Sequence, residues 1–177
     1  SDPIFDKFYG VCSRSCFDDV FIHRYPSVFN PKRSPNGRFL LLPGSDGLDP
    51  DSVTSTGTWL ADLTEGGSFI QLLPRAVAAT WNPQSDQITY VSQDTLYTLN
   101  VLSLAEPVSL FTQAKLNRHA IWSPDGKWIA VKAVGQPYPA TTIYFVVPTN
   151  GDPARQIAER SGPNRGTAWS HDSQYLI

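Results

Sequence analysis

The sequence predicts an all-β fold, a β-propeller of four-stranded antiparallel blades, three of them complete and a fourth in part. Three observations predict it. One hairpin motif recurs four times at blade-length spacing, and two further apolar stretches follow each of the first three copies. No segment sustains the 3.6-residue apolar period of a helix together with capping signals.

The hairpin is clearest in "WSPDGKWIAV", residues 122–131. "WNPQSDQITYV" (81–91), "WSHDSQYLI" (169–177) and "RSPNGRFLLL" (33–42) align with it. The residue after the Trp position falls at 34, 82, 123 and 170, at intervals of 48, 41 and 47 residues. Pro pre-sets the first central dihedral of a turn, Asp or Asn follows, and Gly takes the left-handed conformation. Apolar runs on both sides make each copy a β-hairpin. "WIAV", "FLLL" and "ITYV" are rich in β-formers, so the second strand is expected to be buried on both faces.

The remaining strands follow in order. "GTWLADL" (57–63), "DTLYTLNV" (94–101) and "TTIYFVV" (141–147) are third strands, with Trp59, Tyr97 and Tyr144 expected at one equivalent position. "SFIQLLP" (68–74), "PVSLFT" (107–112) and "ARQIAE" (154–159) are fourth strands. Turns such as "TEGGS" and "TNGDPA" precede them. Four strands per repeat is the sequence signature of a propeller blade. Blades are expected over 30–75, 76–113 and 114–160, with a partial blade over 161–177. The Pro-Asp-Gly then joins the two inner strands of each blade, the Ser caps the turn, and Trp81, Trp122 and Trp169 act as wedges between neighbouring blades.

On these residues the chain resembles the TolB-like propeller repeat of bacterial proteins. "WSPDGKWIAV" and the following "TTIYFVVPTNGDPARQIAE" carry the resemblance, which covers residues 30–177. It departs from the pattern at Arg33, where the Trp is lost, and at "NPQSDQ", where the Gly is lost. The resemblance implies a propeller and leaves function open. The same repeat serves TolB, the propellers of prolyl oligopeptidase-like peptidases, and bacterial surface and sensor proteins. Envelope partners such as peptidoglycan-associated lipoprotein would follow from a TolB-like role, but no partner-binding motif matches residue by residue. The lack of any Trp-Asp dipeptide argues against the eukaryotic WD repeat.

Bulk properties narrow the function classes. The 177 residues are 41% hydrophobic and 17% charged, with a formal net charge of −2. Such a balance argues against nucleic acid as a partner, because a phosphate-binding face shows as a basic excess. No apolar run approaches the roughly 18 residues of a spanning helix. The chain has no Met and starts at Ser1, so a processed N-terminus is expected, by removal of a secretory signal or by methionine aminopeptidase, unless the chain is a fragment. Cys12 and Cys16 stand alone in "GVCSRSC". They are a disulfide of an exported protein or two free thiols; the second half of a zinc site is missing, and the spacing is not that of a redox motif.

The strand count leaves the last blade open, since Ile177 falls within its second strand. An unpaired edge calls for a solution. The chain could be a fragment of a propeller with more blades. Alternatively, the N-terminal segment 1–29, through "FDKFYG" (5–10) and "DVFIHRY" (19–25), could supply the outer strands of that blade. The third solution is an oligomer or a partner chain that caps the edge.

Chemistry-bearing motifs are sparse. Gly-x-Ser-x-Gly, a phosphate loop, a His-Glu-x-x-His helix and a dinucleotide fingerprint are all absent, so no enzyme and no cofactor is expected. Ser170, His171 and Asp172 are consecutive on a tight hairpin, point in different directions and form no relay. Asp46, Asp49 and Asp51 in "GSDGLDPDS" are a calcium candidate, set against a solvated loop, and no metal is assigned. The binding candidates are Asn117 and Arg118 with the adjoining His119, and Asn164 and Arg165. Both Asn-Arg pairs precede a motif Trp, where the innermost strand opens near one mouth of the central channel. Two guanidinium groups at equivalent places suit a carboxylate of a partner protein or peptide. The expected function is a non-catalytic bacterial propeller that binds another protein outside the cytoplasm, in the periplasm, at the cell surface or secreted. The alternative is the gating propeller of a prolyl oligopeptidase-like serine peptidase whose catalytic domain is not in this chain.

Overall fold

The computed structural model describes residues 31–43, 57–74, 78–135, 141–161 and 166–177. Twelve strands and no helix occur among them. They form three four-stranded antiparallel sheets, each paired in simple chain order, which is blade geometry. The first blade is β1 (Lys32–Arg33), β2 (Phe39–Pro43), β3 (Thr58–Asp62) and β4 (Phe69–Leu73). The second is β5 (Thr80–Trp81), β6 (Gln87–Ser92), β7 (Thr95–Asn100) and β8 (Val108–Thr112). The third is β9 (Leu116–Trp122), β10 (Trp128–Val134), β11 (Thr141–Pro148) and β12 (Arg155–Ser161). The chain divides into two compact units, residues 1–76 with the first blade and residues 77–177 with the rest.

The first turn of every blade is built by the same hydrogen bonds. In the third blade the Ser123 hydroxyl donates to Asp125 Oδ1 at 2.6 Å and accepts the Trp128 N–H at 3.0 Å. The Gly126 N–H closes the turn on the Ser123 carbonyl at 2.9 Å, and Asp125 also accepts the Lys127 N–H. Ser34 and Asn36 repeat the pattern in the first blade, and Ser170 and Asp172 in the C-terminal hairpin. In the second blade Asn82 replaces the Ser, and its Oδ1 accepts the Asp86 and Gln87 N–H groups. The left-handed position is filled by Gly37, Ser85, Gly126 and Ser173, at φ of 74°, 66°, 73° and 60°. The Gly lost from "NPQSDQ" is thus replaced by a Ser that accepts the same backbone strain.

These turns set the register. Arg33 lies opposite Leu40, Trp81 opposite Ile88, Trp122 opposite Ile129, and Trp169 opposite Leu176. The second strands are buried on both faces, with Leu40, Leu41 and Leu42 at 4%, 1% and 0% exposure and Ile129, Ala130 and Val131 at 0%, 4% and 1%. In the place of the first wedge, Arg33 turns its Nε–H back to the Gly37 carbonyl at 3.0 Å. In the same blade Arg38 pairs with the buried Asp62 at 2.7 Å, and the guanidinium holds that carboxyl below its ordinary value.

One expected equivalence is corrected. Ala61, Leu99 and Val147 lie opposite Leu40, Ile88 and Ile129, so the residue two places earlier is Trp59, Tyr97 and Phe145. Phe145, not Tyr144, holds the repeated aromatic position. A one-residue slip moves a side chain to the other face of the sheet. The third and fourth strands of each blade also share a register shift at that place, at Thr58/Trp59, Leu96/Tyr97 and Tyr144/Phe145. Tyr144 and Phe145 are adjacent aromatics, and only the unshifted pairing of β11 with β10 decides which of them holds the repeated position.

Within residues 77–177 the second and third blades stack face to face. Val91 and Leu96 of the second meet Ile129, Val131, Phe145 and Val147 of the third, and Phe111 tilts against Phe145 at 5.0 Å. Trp81 is buried, while Trp122 and Trp169 are half-buried. Trp169 still joins its hairpin to the third blade, because its Nε1–H donates to the Ile121 carbonyl at 3.0 Å. Close by, the Ser173 hydroxyl accepts the Asp125 N–H at 3.1 Å.

Two outcomes follow from the shared turn. Gly126→Ala places a Cβ in the left-handed region, within 2.8 Å of the Gln84 side chain, and should cost about 1 kcal/mol in a urea titration. The Ser123 hydroxyl, with weaker help from the Lys127 N–H, holds the Asp125 carboxyl below its ordinary value. That stabilisation is present above the unfolded pKa of about 3.9 and is lost as pH falls through the lowered folded value. Asn36 makes the same bonds without a charge, so Asp125→Asn should fold and its melting point should change less than wild type on acidification, followed by circular dichroism.

Candidate functional site

Asn117, Arg118 and His119 lie where β9 leaves the ladder. Ala120 pairs with Val131 and Leu116 with Ala133, so three residues of β9 stand opposite Lys132 alone. The result is a wide bulge. Its cause is local: Asn117 Oδ1 accepts the His119 N–H at 3.0 Å, a bond that competes with strand pairing. Normal alternation would send one of Arg118 and His119 to each face of the sheet. The bulge instead exposes both, between the buried Leu116 and Ala120. A guanidinium and an imidazole side by side in water suit an anionic group, and bulges re-aim side chains in this way.

Asn164 and Arg165, the other Asn-Arg pair, lie outside the described residues. So do the calcium candidates Asp46, Asp49 and Asp51, the pair Cys12 and Cys16, and the N-terminal segment 1–29. Among the described residues no group of three His, Cys, Asp or Glu side chains is placed to hold a metal. No helix there is long and apolar enough to cross a membrane.

The structure also shows a second feature, which sequence reasoning did not assemble. A cleft of about 590 Å³ opens between the third blade and the C-terminal hairpin. Thr142 and Tyr144 of β11, Ala158 and Arg160 of β12, and Thr167 and Leu176 line it. Lys132 extends over the Tyr144 ring at 5.5 Å on this face of the sheet, and burial pushes its pKa down. The signal for the cleft was present as the unfinished last blade. Its lining depends on strand register, which the bulge shifts by one residue.

No family model matches this chain, and no curated protein does. Solved structures do match. TolB from Acinetobacter baumannii superposes with a TM-score of 0.61 at 16% identity, over 85% of this chain and 37% of that one. The fold is a TolB-like β-propeller. The propeller domain of the Trilobed protease from Pyrococcus furiosus, described as having an open velcro topology, matches with a TM-score of 0.54 at 16% identity, over 75% of this chain and 43% of that one. The Pyrococcus horikoshii acylaminoacyl peptidase matches with a TM-score of 0.56 at 14% identity, over 80% of this chain and 26% of that one. The chain therefore spans less than half the length of each, and at these identities the likeness is one of fold.

Removing the Asn117 side chain tests the bulge. Asn117→Ala should speed amide hydrogen exchange at His119 about tenfold, while Ala120 and Val131 stay protected, read by NMR.

Proposed function

We propose that this TolB-like propeller is a non-catalytic module that binds another protein outside the cytoplasm, through an acidic group of that partner. The observation that carries the reading is the bulge in β9, which breaks an otherwise paired ladder and sets Arg118 and His119 in water. A break of this kind gives up strand hydrogen bonds and sets two polar side chains in solvent, which favours recognition as its reason. The second Asn-Arg pair, at Asn164 and Arg165, supports it at the level of sequence. The resemblance of the repeat to bacterial envelope proteins supports the location.

A second reading has its own support in the peptidase structures that share the fold. In it, the chain is the gating propeller of a prolyl oligopeptidase-like serine peptidase. Coding sequence that adjoins these residues and carries a Gly-x-Ser-x-Gly motif would decide for that reading.

The binding reading is tested by recovery from a bacterial envelope extract. Wild-type protein should retain a defined partner that Arg118→Ala/Arg165→Ala loses. Recovery should fall as salt is raised from about 0.05 to about 0.5 M, because the contact is open to water. Equal recovery by both proteins would remove the bulge as the contact.

A further inference from the structure

The dipeptide Asn-Gly occurs twice in the sequence, at Asn36–Gly37 and at Asn150–Gly151. In such a pair the backbone nitrogen of the Gly can attack the side-chain amide carbon of the Asn, and no Cβ on the Gly shields the approach. The first pair lies in the turn between β1 and β2, the second in the turn between β11 and β12.

Much is common to the two turns. Both Asn residues are exposed, and both Gly residues are left-handed, at φ of 74° and 88°. In each, the Asn Oδ1 accepts the backbone N–H two residues ahead, from Arg38 at 3.0 Å and from Asp152 at 3.1 Å. That bond folds the side chain back along the backbone and polarises the amide carbonyl. The nucleophile is what differs. The Gly37 N–H donates to the Ser34 carbonyl at 2.8 Å, and the Ser34 hydroxyl ties the same turn to Asn36 Oδ1 at 2.7 Å. The Gly151 N–H has no acceptor among the described residues, and the space where a Cβ would stand is empty to 4 Å. The Asn150 amide is meanwhile held at both ends by Asp152, since its Nδ2 donates to Asp152 Oδ2 at 2.9 Å.

We propose that Asn150 is a site of spontaneous covalent modification, deamidating through a cyclic imide, while Asn36 is protected by the bond its Gly makes. In the first step the Gly151 nitrogen gives up its proton to solvent and bonds to Asn150 Cγ. The Cγ–Nδ2 bond breaks, and ammonia leaves with a proton from water. Water then opens the five-membered imide at either carbonyl, which gives aspartate from one opening and isoaspartate from the other. The sum is one water consumed and one ammonia released, with no oxidant, cofactor or second protein. The product sets a carboxylate against Asp152 where an amide donor stood, and isoaspartate adds one carbon to the backbone that leads into β12. At Asn36 the same attack must wait until the bond from Gly37 to Ser34 opens, which should slow it about tenfold. The inference is independent of the protein-binding reading.

The test follows both sites in one sample. The full chain is incubated at mildly alkaline pH and digested with trypsin at intervals. Asn36 is read in the peptide Ser34–Arg38 and Asn150 in Ala133–Arg155, each of which holds a single Asn. Mass spectrometry gives the deamidated fraction, and synthetic peptide standards separate isoaspartate from aspartate. Asn150 should convert about tenfold faster than Asn36 and yield both products. In urea that unfolds the chain, the two rates should converge, because the Gly37 bond is then lost. Equal rates in the folded protein, or faster conversion at Asn36, overturn the proposal. A gap that persists unchanged in urea assigns the difference to neighbouring residues rather than to the fold and also overturns it. Conversion of Asn150 to aspartate with no isoaspartate means direct hydrolysis and overturns the cyclic step.

Discussion

The structure depends on one polar side chain in the first turn of each blade, a Ser hydroxyl in three of the four hairpins and the Asn82 amide in the other. In the first turn of the blade, Ser accepts a backbone N–H from five residues ahead and donates to an acid or amide two residues ahead. Those bonds fix where the second strand begins relative to the first. Register then follows for the whole blade, because the side-chain period of a strand is two and a slip of one residue reverses every face. The apolar runs beside the turn can bury on both faces only when that register is held. Asn82 shows that the requirement is for bonding geometry rather than a residue type, since its amide satisfies the same end of the second strand.

Much of this was legible in the sequence because it is local. The turn residues are contiguous, the strands beside them are short, and strands such as β2, β6 and β10 fall on the apolar runs that the sequence marks. The misplacement of Tyr144 shows where locality ends. Register is a relation between two strands, and with two aromatics in a row neither strand alone records which of them lies opposite which residue of β10. The same limit applies at Arg118 and His119. Their residue types mark them as candidates, but only the pairing of Leu116 and Ala120 across Lys132 shows that both side chains reach solvent. The cleft was the least legible feature, since its walls come from three segments.

The bulge and the cleft differ in physical character. The β9 bulge is open, polar and charged, so its contribution to binding would lie in steering and salt-sensitive attachment. The cleft between the third blade and the C-terminal hairpin is concave and lined by both polar and apolar side chains. Both lie within residues 77–177 and both involve the third blade, whose sheet is stabilised on one face by the apolar seam with the second blade. That seam gives a stiff support to side chains on the exposed parts of the sheet.

The contacts between the third blade and the C-terminal hairpin have a direction. Among the described residues, two polar ones, Trp169 to Ile121 and Asp125 to Ser173, join one repeat to the repeat immediately before it, 48 residues away. Stability in such an array is a sum of repeats and of the junctions between neighbours. A pull that separates the hairpin from the third blade would load these two bonds and the Trp169 ring before any bond in the second blade. Residues 77–177 should therefore yield to such a pull at the hairpin first, with the apolar seam between the second and third blades surviving to higher loads.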